Sequence, residues 1–384
     1  MNKYGQTICL SMIVKNEAHV IRRCLDSVRD VIDYWVIIDT GSIDGTQDVI
    51  RAAMADKPGT LVERPWVDFA FNRNEALALA RAHADYSLII DADDALLVQD
   101  GFIMPKLTAA GYRFEIVDGL TRHWCPHLIS NKEDWRYRGV LHEMLECPGR
   151  PHEPSLPLAI RRGADGARRS DKMTPQRDIA VLEDALAAEK DPSMVGRYML
   201  HLANAYRESG EIRKAIDYYL KRADFRYLEE EIYISLLMAA DLMEQLNEPE
   251  DMILALYDRM IPICPLRAEA RHGASRYFRR KKNFVAGFRY AEAGLNLSLP
   301  REGVFLHPWV YTYGLREEFS INAYYSGRFR ICLYACLDIL SRSDVPHEVL
   351  SRTCALARQA LVQMIDPAWG CQTAPYRSEF IPAW

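Results

Sequence analysis

The sequence predicts an α/β domain with a mostly parallel sheet, followed by an all-helical domain. In the first half, short apolar segments that are typical of buried strands alternate with segments of helical periodicity. From about residue 176 onward the chain is nearly all helical in pattern, and a spacing of small and aromatic residues recurs. We therefore predict a first domain over residues 1–175 and a second over residues 176–384.

Length and composition narrow the class of protein. With 384 residues, 49% hydrophobic and 26% charged, the chain has the composition of a soluble globular protein of two or three domains. A net charge of −5 gives no specific nucleic-acid signal. No apolar run is long enough to predict a transmembrane segment, and the first residues do not resemble a signal peptide. Nine scattered cysteines without a CxxC pair favour a cytoplasmic location.

The first half contains four predicted strands separated by helices. The strands cover residues 7–14, 34–38, 61–63 and 88–90, and the helices cover residues 20–28, 46–55 and 72–83. Strands that alternate with helices at this spacing are connected as right-handed parallel units. A further alternating segment, residues 112–117, is typical of another strand.

Polar residues follow three of these strands. Lys15 follows the first, Asp39 the second, and Asp91, Asp93 and Asp94 the fourth. Because parallel strands end at one edge of the sheet, these side chains are expected to share the crevice in which such sheets bind ligands. Two carboxylates two residues apart suit a hard divalent cation that also bridges phosphates. The simpler alternative is that Asp93 or Asp94 caps a following helix.

Four motifs occur in the order in which glycosyltransferase family 2 has them, and the chain resembles that family over residues 5–175. The motifs are SMIVKNEA at 11–18, VIIDTGSIDGT at 36–46, FNRNEA at 71–76 and DADD at 91–94. The resemblance implies a GT-A fold and a sugar transfer from a nucleotide-sugar donor, most often a UDP-hexose, with Mn²⁺ or Mg²⁺. Many members carry Asp-Asp where this chain has Asp39-Thr40, so a second acidic group is missing here.

The resemblance also implies roles for individual residues. Asp39 is expected to read the uracil, Asp91 to hold the ribose and the metal, and Asp93 to bind the metal. The full set expected to contact the nucleotide is Ile13, Lys15, Glu17, Asp39, Arg73 and Asp91.

The segment before residue 144 supplies two further candidates. His142 is expected to be a third metal ligand, since imidazole suits Mn²⁺. Glu143 is the candidate general base, a role that the resemblance assigns to a carboxylate beyond the DxD motif in inverting enzymes. Asp134 and Glu133 are the alternatives for the base, and a surface His-Glu pair is the alternative without function.

Residues 147–157 and 161–169 have the composition of a loop or linker. Arg168 and Lys172 are the candidates to close over a sugar diphosphate, because arginine in particular recognises phosphate well. Residues 300–320 are rich in aromatic side chains and are expected to pack between helices, with an acceptor groove as the alternative. The C-terminal residues 375–384 are expected to be extended.

The helical half resembles tetratricopeptide repeats. Small and aromatic residues recur at matching spacing in two places, and the two sets are Ala203, Tyr206, Gly210, Ala215 and Tyr219, and then Ala274, Tyr277, Ala286, Tyr290 and Ala293. A degenerate helix pair is expected between them, and a last pair over about 315–341 turning at Gly327. Stacked pairs form a concave surface that binds extended partners. The acceptor is therefore expected to be a peptide, protein or glycan, and homodimerisation or simple stabilisation is the alternative.

Two other functions are compatible with parts of the sequence. The repeats could recruit a partner while the α/β domain only senses a nucleotide. A nucleotidyltransferase also uses paired aspartates, but it would bring a glycine-rich loop after the first strand, where this chain has Ile13-Val14-Lys15-Asn16.

Overall fold

The computed structural model describes residues 1–149, 154–225 and 227–365. The strands are β1 (Ile8–Val14), β2 (Tyr34–Asp39), β3 (Gly59–Glu63), β4 (Tyr86–Ile89), β5 (Ala95–Val98), β6 (Gly111–Asp118), β7 (Thr121–Ser130), β8 (Arg136–Arg138), β9 (Met144–Glu146) and β10 (Ser155–Arg161). Eight of them form a mixed sheet in the order β3-β2-β1-β4-β7-β6-β10-β5, and β8 and β9 form a separate hairpin.

The strands that carry the predicted motifs are parallel. β1 lies between β2 and β4 and is parallel to both, and β2 is parallel to β3. β7 then pairs antiparallel with β4 and with β6, while β10 is parallel to β6 and antiparallel to β5. The predicted α/β class with a mostly parallel sheet is confirmed.

Three helices cover the sheet. These are α1 (Ile21–Val28), α2 (Thr46–Ala53) and α3 (Phe69–Ala80). α1 buries Ile21, Cys24, Leu25 and Val28, the residues whose helical spacing predicted it. They join the apolar side chains of the strands in one core. α3 begins at Asp68, whose side chain accepts a hydrogen bond from the Phe71 backbone N–H.

One segment predicted as a loop contains a strand. β10 buries Leu156, Leu158 and Ile160 at alternate positions, as a half-buried strand does. Pro157 lies on the exposed side, and the register with β6 shifts between Ser155 and Ala159. Such an irregularity accommodates a proline inside a sheet, and the proline concealed the alternation in the sequence.

The remaining chain is helical. The helices are α4 (Ala167–Ser170), α5 (Thr174–Ala188), α6 (Pro192–Glu208), α7 (Ile212–Asp224), α8 (Glu229–Gln245), α9 (Glu250–Ile263), α10 (Glu269–Arg280), α11 (Phe284–Glu292), α12 (Leu315–Tyr325), α13 (Phe329–Leu340) and α14 (His347–Ile365), with a π-helical turn at Val310–Gly314. α6 and α7 form the first predicted repeat, in which Ala203 and Tyr219 are fully buried. Gly210, with φ of +85°, makes the turn between them. The helical class resembling tetratricopeptide proteins is confirmed, and α14 lies beyond the predicted repeats.

The chain forms two compact units. The first contains residues 1–243 and 301–306, and the second contains residues 244–300 and the described residues from 307 onward. The helices α5 to α7 and most of α8 therefore belong to the unit of the sheet. The boundary between the two compact units lies after residue 243 and not at residue 175. The predicted domain boundary stays a prediction.

Two other predictions concern the later part of the chain. In the segment 300–320, Leu306 is buried in the first unit, and Val310 and Tyr311 are buried in the second. The C-terminal residues 375–384 lie outside the described residues. Among the helices of the described residues, none is both long enough and apolar enough to cross a membrane.

Candidate functional site

The parallel strands β2, β1 and β4 bring the predicted residues to one edge of the sheet. In register, Val14 lies beside Asp39, and Ser11 lies beside Ile89. The residues that follow these strands, including Lys15 and Asp91, therefore emerge side by side. This is the carboxyl edge, at which open α/β sheets bind their ligands.

Asp39 is the most deeply buried acid at this edge, with no exposed surface. Its Oδ1 accepts hydrogen bonds from the backbone N–H groups of Gly41 and Ser42, both at 2.8 Å. Its Oδ2 is buried and has no hydrogen-bond partner among the described residues. Because buried polar atoms in folded proteins are normally paired, the Oδ2 atom marks a position for a donor from a ligand.

The segment after β1 is held against the loop after β2. Asn16 adopts a left-handed conformation with φ of +58°, and its backbone N–H donates to Ser42 Oγ at 2.8 Å. The Glu17 N–H donates to Thr46 Oγ1, also at 2.8 Å. Lys15 is exposed, whereas Ile13 is half-buried beside Arg73 in a small pocket. The two predicted motifs therefore form one connected surface.

Arg73 connects two of the predicted site residues. From α3 its guanidinium donates to Asp91 Oδ1 at 2.6 Å, and its Nε lies 2.5 Å from Glu143 Oε1. The ring of Tyr137 lies 5.5 Å from the guanidinium carbon. Although burial opposes ionisation, Arg73 holds the pKa of Asp91 below its usual range. The structure thus brings Glu143 to the same edge as Asp91.

The acids around Asp91 repel one another. Burial, followed by the charge of Asp91, raises the pKa of Asp93 and raises that of Asp94 to about 7. Burial also raises the pKa of Glu17 to about 7, although its carboxylate accepts a hydrogen bond from the Ala167 N–H. A cation would relieve this repulsion. The helix-cap alternative does not hold for Asp94, because a strand follows it and its Oδ1 accepts from the Gly163 N–H at 3.0 Å.

The metal prediction concerns Asp91, Asp93 and His142. Asp91 and Asp93 offer hard oxygen ligands, and Mg²⁺ commonly needs only one or two carboxylates besides phosphate and water. Within the described ranges, no group of three or more His, Cys, Asp or Glu residues is placed to hold a metal ion. The structure therefore does not join His142 to the two aspartates, and its role as a ligand stays a prediction. His142 is exposed and stacks on His201 with ring centroids 3.9 Å apart.

The sequence did not single out Arg162. This residue follows β10, and although burial opposes its charge, Asp91 and Asp94 raise its pKa. Of the residues predicted to close over a diphosphate, Arg168 pairs with Asp178 and Lys172 is exposed. The sequence signal that would have identified Arg162 is β10. Because this strand ends at Arg161, it places Arg162 at the edge of the sheet.

Residues 163–166 lie directly on Asp93. A Cβ atom at Gly163 would come within 2.0 Å of the Asp93 carbonyl oxygen, and one at Gly166 within 2.6 Å of Asp93 Oδ2. Arg23 donates to the same carbonyl oxygen at 2.5 Å and to Asp165 at 2.8 Å. The two glycines are thus required for this close approach.

The two alternatives for the general base are placed differently from Glu143. Glu133 and Asp134 follow β7, whose last residue, Ser130, pairs with Tyr86 at the start of β4. They therefore lie toward the opposite edge of the sheet from Asp91. The geometry favours Glu143 over both.

Parts of the chain are similar in sequence to known proteins. Residues 9–100 match the family model for glycosyl transferase family 2. The chain is 39% identical over 93 residues to a TPR repeat-containing protein of Synechococcus elongatus, a match that covers 24% of this chain and 22% of that protein. It is 27% identical over 272 residues to the SPbeta prophage-derived glycosyltransferase SunS of Bacillus subtilis, covering 65% of this chain and 62% of SunS. The chain thus spans less than two thirds of both relatives.

Among solved structures, YrrB, described as a TPR protein with an unusual peptide-binding site, aligns with a TM-score of 0.36 and 13% identity. That alignment covers 47% of this chain and 84% of YrrB, and its score carries no argument about function. The helix pairs described above establish the helical class independently. The family match, together with three motifs at one sheet edge and a fourth on α3 whose Arg73 contacts Asp91, shows that the N-terminal part of the chain contains a glycosyl transferase family 2 domain.

Proposed function

We propose that this protein is a glycosyltransferase that moves a hexose from a UDP-sugar to an acceptor. The observation that carries the proposal is the unpartnered Oδ2 atom of the fully buried Asp39. The N3–H group of uracil is a donor that would satisfy it. Because two backbone N–H groups fix Oδ1, the direction of Oδ2 is fixed as well. Ile13 and Lys15 would then line the base from the neighbouring strand end.

The acids at the end of β4 would receive the diphosphate together with a divalent cation, Mn²⁺ or Mg²⁺. Asp91 and Asp93 are the residues that would hold the cation, which when bound offsets the charge of the departing diphosphate. Arg73 and Arg162 bring two permanent positive charges to the same place. Guanidinium groups recognise phosphate oxygens well.

Glu143 is the residue that we assign as general base. The acceptor nucleophile attacks the anomeric carbon, the bond from that carbon to the diphosphate oxygen breaks, and the electron pair leaves with UDP. Glu143 takes the proton of the nucleophile in the same step. Its Oε1 lies 2.5 Å from Arg73 Nε, and the same guanidinium donates to Asp91, so the carboxylate is held at the sheet edge where the sugar diphosphate would lie. Inversion at the anomeric carbon follows from the family resemblance.

The acceptor is proposed to be a peptide, protein or glycan that the helical region binds in part. SunS, which is named as a glycosyltransferase, aligns over 65% of this chain, so the similarity extends beyond the 92 residues of the family match. A repeat surface suits an extended acceptor. Homodimerisation through the helices is a second use of the same surface.

A donor screen tests the proposal. The full-length protein is incubated with UDP-glucose, UDP-galactose and UDP-N-acetylglucosamine, with and without Mn²⁺, and UDP release is measured. We expect release from one donor above the others and its loss in EDTA. The matched control is Asp48→Asn, because Asp48 is 86% exposed and pairs with Arg51 within α2. Nucleotide binding without release from any donor would contradict the proposal and favour the sensing scaffold.

A further inference from the structure

One face of α6 holds the segment that carries Glu143. Arg138 donates to Asp191 at 3.1 Å and to Ser193 Oγ at 2.9 Å, at the start of this helix. One turn later, the Val140 backbone N–H donates to the hydroxyl of Tyr198 at 3.3 Å. The start of α6 therefore contacts this segment at Arg138 and again at Val140, on the approach to Glu143.

The same face continues to His142. Arg197 Nε donates to the His142 carbonyl oxygen at 2.5 Å, and the His201 ring stacks on the His142 ring at an interplanar angle of 8°. Arg197, Tyr198 and His201 are spaced so that they share one side of a helix. All of these residues belong to the first compact unit.

The backbone that they hold is unusual. Gly139 has φ of +106°, and a Cβ atom there would lie 2.7 Å from Met194 Cε on α6. His142 has φ of +52°, which is uncommon for a residue with a side chain. Such conformations persist when the surroundings fix them, and they concentrate at functional sites. Here the surroundings are supplied by α6.

We propose that α6 fixes the conformation of residues 138–143, and that Arg197 and Tyr198 are positioning residues for Glu143. The inference rests on the proposed function, since it assumes that Glu143 acts as the base. It gives the beginning of the helical region a part in the chemistry, besides any part in binding an acceptor. Neither residue needs to touch the substrate, because both act on backbone groups of the segment.

A substitution at Tyr198 tests the positioning role. Its side chain is only 3% exposed, and its hydroxyl accepts the hydrogen bond of the Val140 N–H. Tyr198→Phe removes this one acceptor and keeps the ring. We expect kcat to fall about three- to tenfold with an unchanged KM for the donor, as the loss of one hydrogen bond predicts.

Arg197 gives the larger expected effect. Arg197→Ala is expected to lower kcat about 10- to 100-fold, because a charge-assisted hydrogen bond is lost. Arg197→Lys, which can still donate to the His142 carbonyl oxygen, is expected to restore part of that rate. The matched control is Arg207→Ala on the same helix, because Arg207 contacts Met238 and Glu208 and not the segment. Thermal unfolding of each variant verifies that it is folded.

A double-mutant cycle decides whether Arg197 acts through Glu143. In the Glu143→Gln background, Arg197→Ala should cause little further loss of kcat, because the group that it positions is already disabled. Full additivity, or variants as fast as the wild-type protein, would overturn the inference while leaving the proposed function intact. A wild-type protein that releases no UDP from any donor would overturn both.

Discussion

Two buried carboxylates, one in each compact unit, differ in how their oxygen atoms are used. Glu269 in the second unit accepts hydrogen bonds on both oxygens, from the Arg267 guanidinium at 2.9 and 3.2 Å, from the Tyr311 hydroxyl at 2.9 Å and from the His307 N–H at 3.1 Å. Asp39 in the first unit has both of its hydrogen bonds on Oδ1, and its Oδ2 has no partner among the described residues.

This difference separates a structural acid from an acid at a binding site. A buried carboxylate with satisfied oxygens connects the elements around it, whereas a buried acceptor without a donor costs stability. Such a cost is retained where a ligand supplies the missing donor. The comparison predicts that changes at the sheet edge reduce activity, and that changes around Glu269 reduce stability.

The largest effect on activity is expected from Asp93→Ala. The change removes a carboxylate proposed to hold the cation, so UDP release should fall to background. It also removes a half-buried acid under repulsion from Asp91, so the fold should not be destabilised. UDP release and a thermal shift with Mn²⁺ plus UDP measure the two effects. Unchanged turnover would show that Asp93 is not a ligand of the metal.

Glu143→Gln is expected to have the next largest effect. Loss of a general base typically costs about 100- to 10,000-fold in rate. Glutamine is nearly isosteric, so donor KM should stay within about threefold. Steady-state kinetics with varied donor measures both quantities. A variant with wild-type kcat would show that another residue accepts the proton.

On the other side of the comparison, Glu269→Ala should destabilise the second unit. The change removes the carboxylate that faces the buried Arg267, and breaking a buried ion pair costs about 3–5 kcal/mol. Urea unfolding measures the loss. The control is Glu292→Ala, an exposed acid in the same unit. Equal stability of the two variants would contradict the structural role of Glu269.

Local patterns were sufficient to predict the strands and helices near the site. The apolar runs that end at Val14, Ile38 and Ile90 made the first strands recognisable, and the helical spacing of Ile21, Cys24 and Leu25 identified α1. The second half was recognisable because small and aromatic residues recur where helices approach closely. In each case the evidence lies within one short stretch of chain.

Contacts between distant stretches could not be predicted from the sequence. The charge of Asp91 acts on Arg162 only because β10, interrupted by Pro157, is a strand of the sheet. The contact between Arg197 and the His142 carbonyl oxygen joins residues 55 positions apart, and neither residue has a local pattern that indicates it. The sequence therefore predicted the sheet edge and Glu143, but not Arg162 and Arg197, which come from later in the chain.

The most direct test of the central claim is the affinity of Asp39→Asn for UDP, measured by isothermal titration calorimetry. Asparagine can keep the hydrogen bonds at the Oδ1 position, but it replaces Oδ2 with an amide that donates and cannot accept from uracil. We expect the dissociation constant to rise about 10- to 100-fold, the effect of losing a hydrogen bond to a charged group, with an unchanged melting temperature. The wild-type affinity in Asp39→Asn would contradict the assignment of Asp39 to the nucleotide.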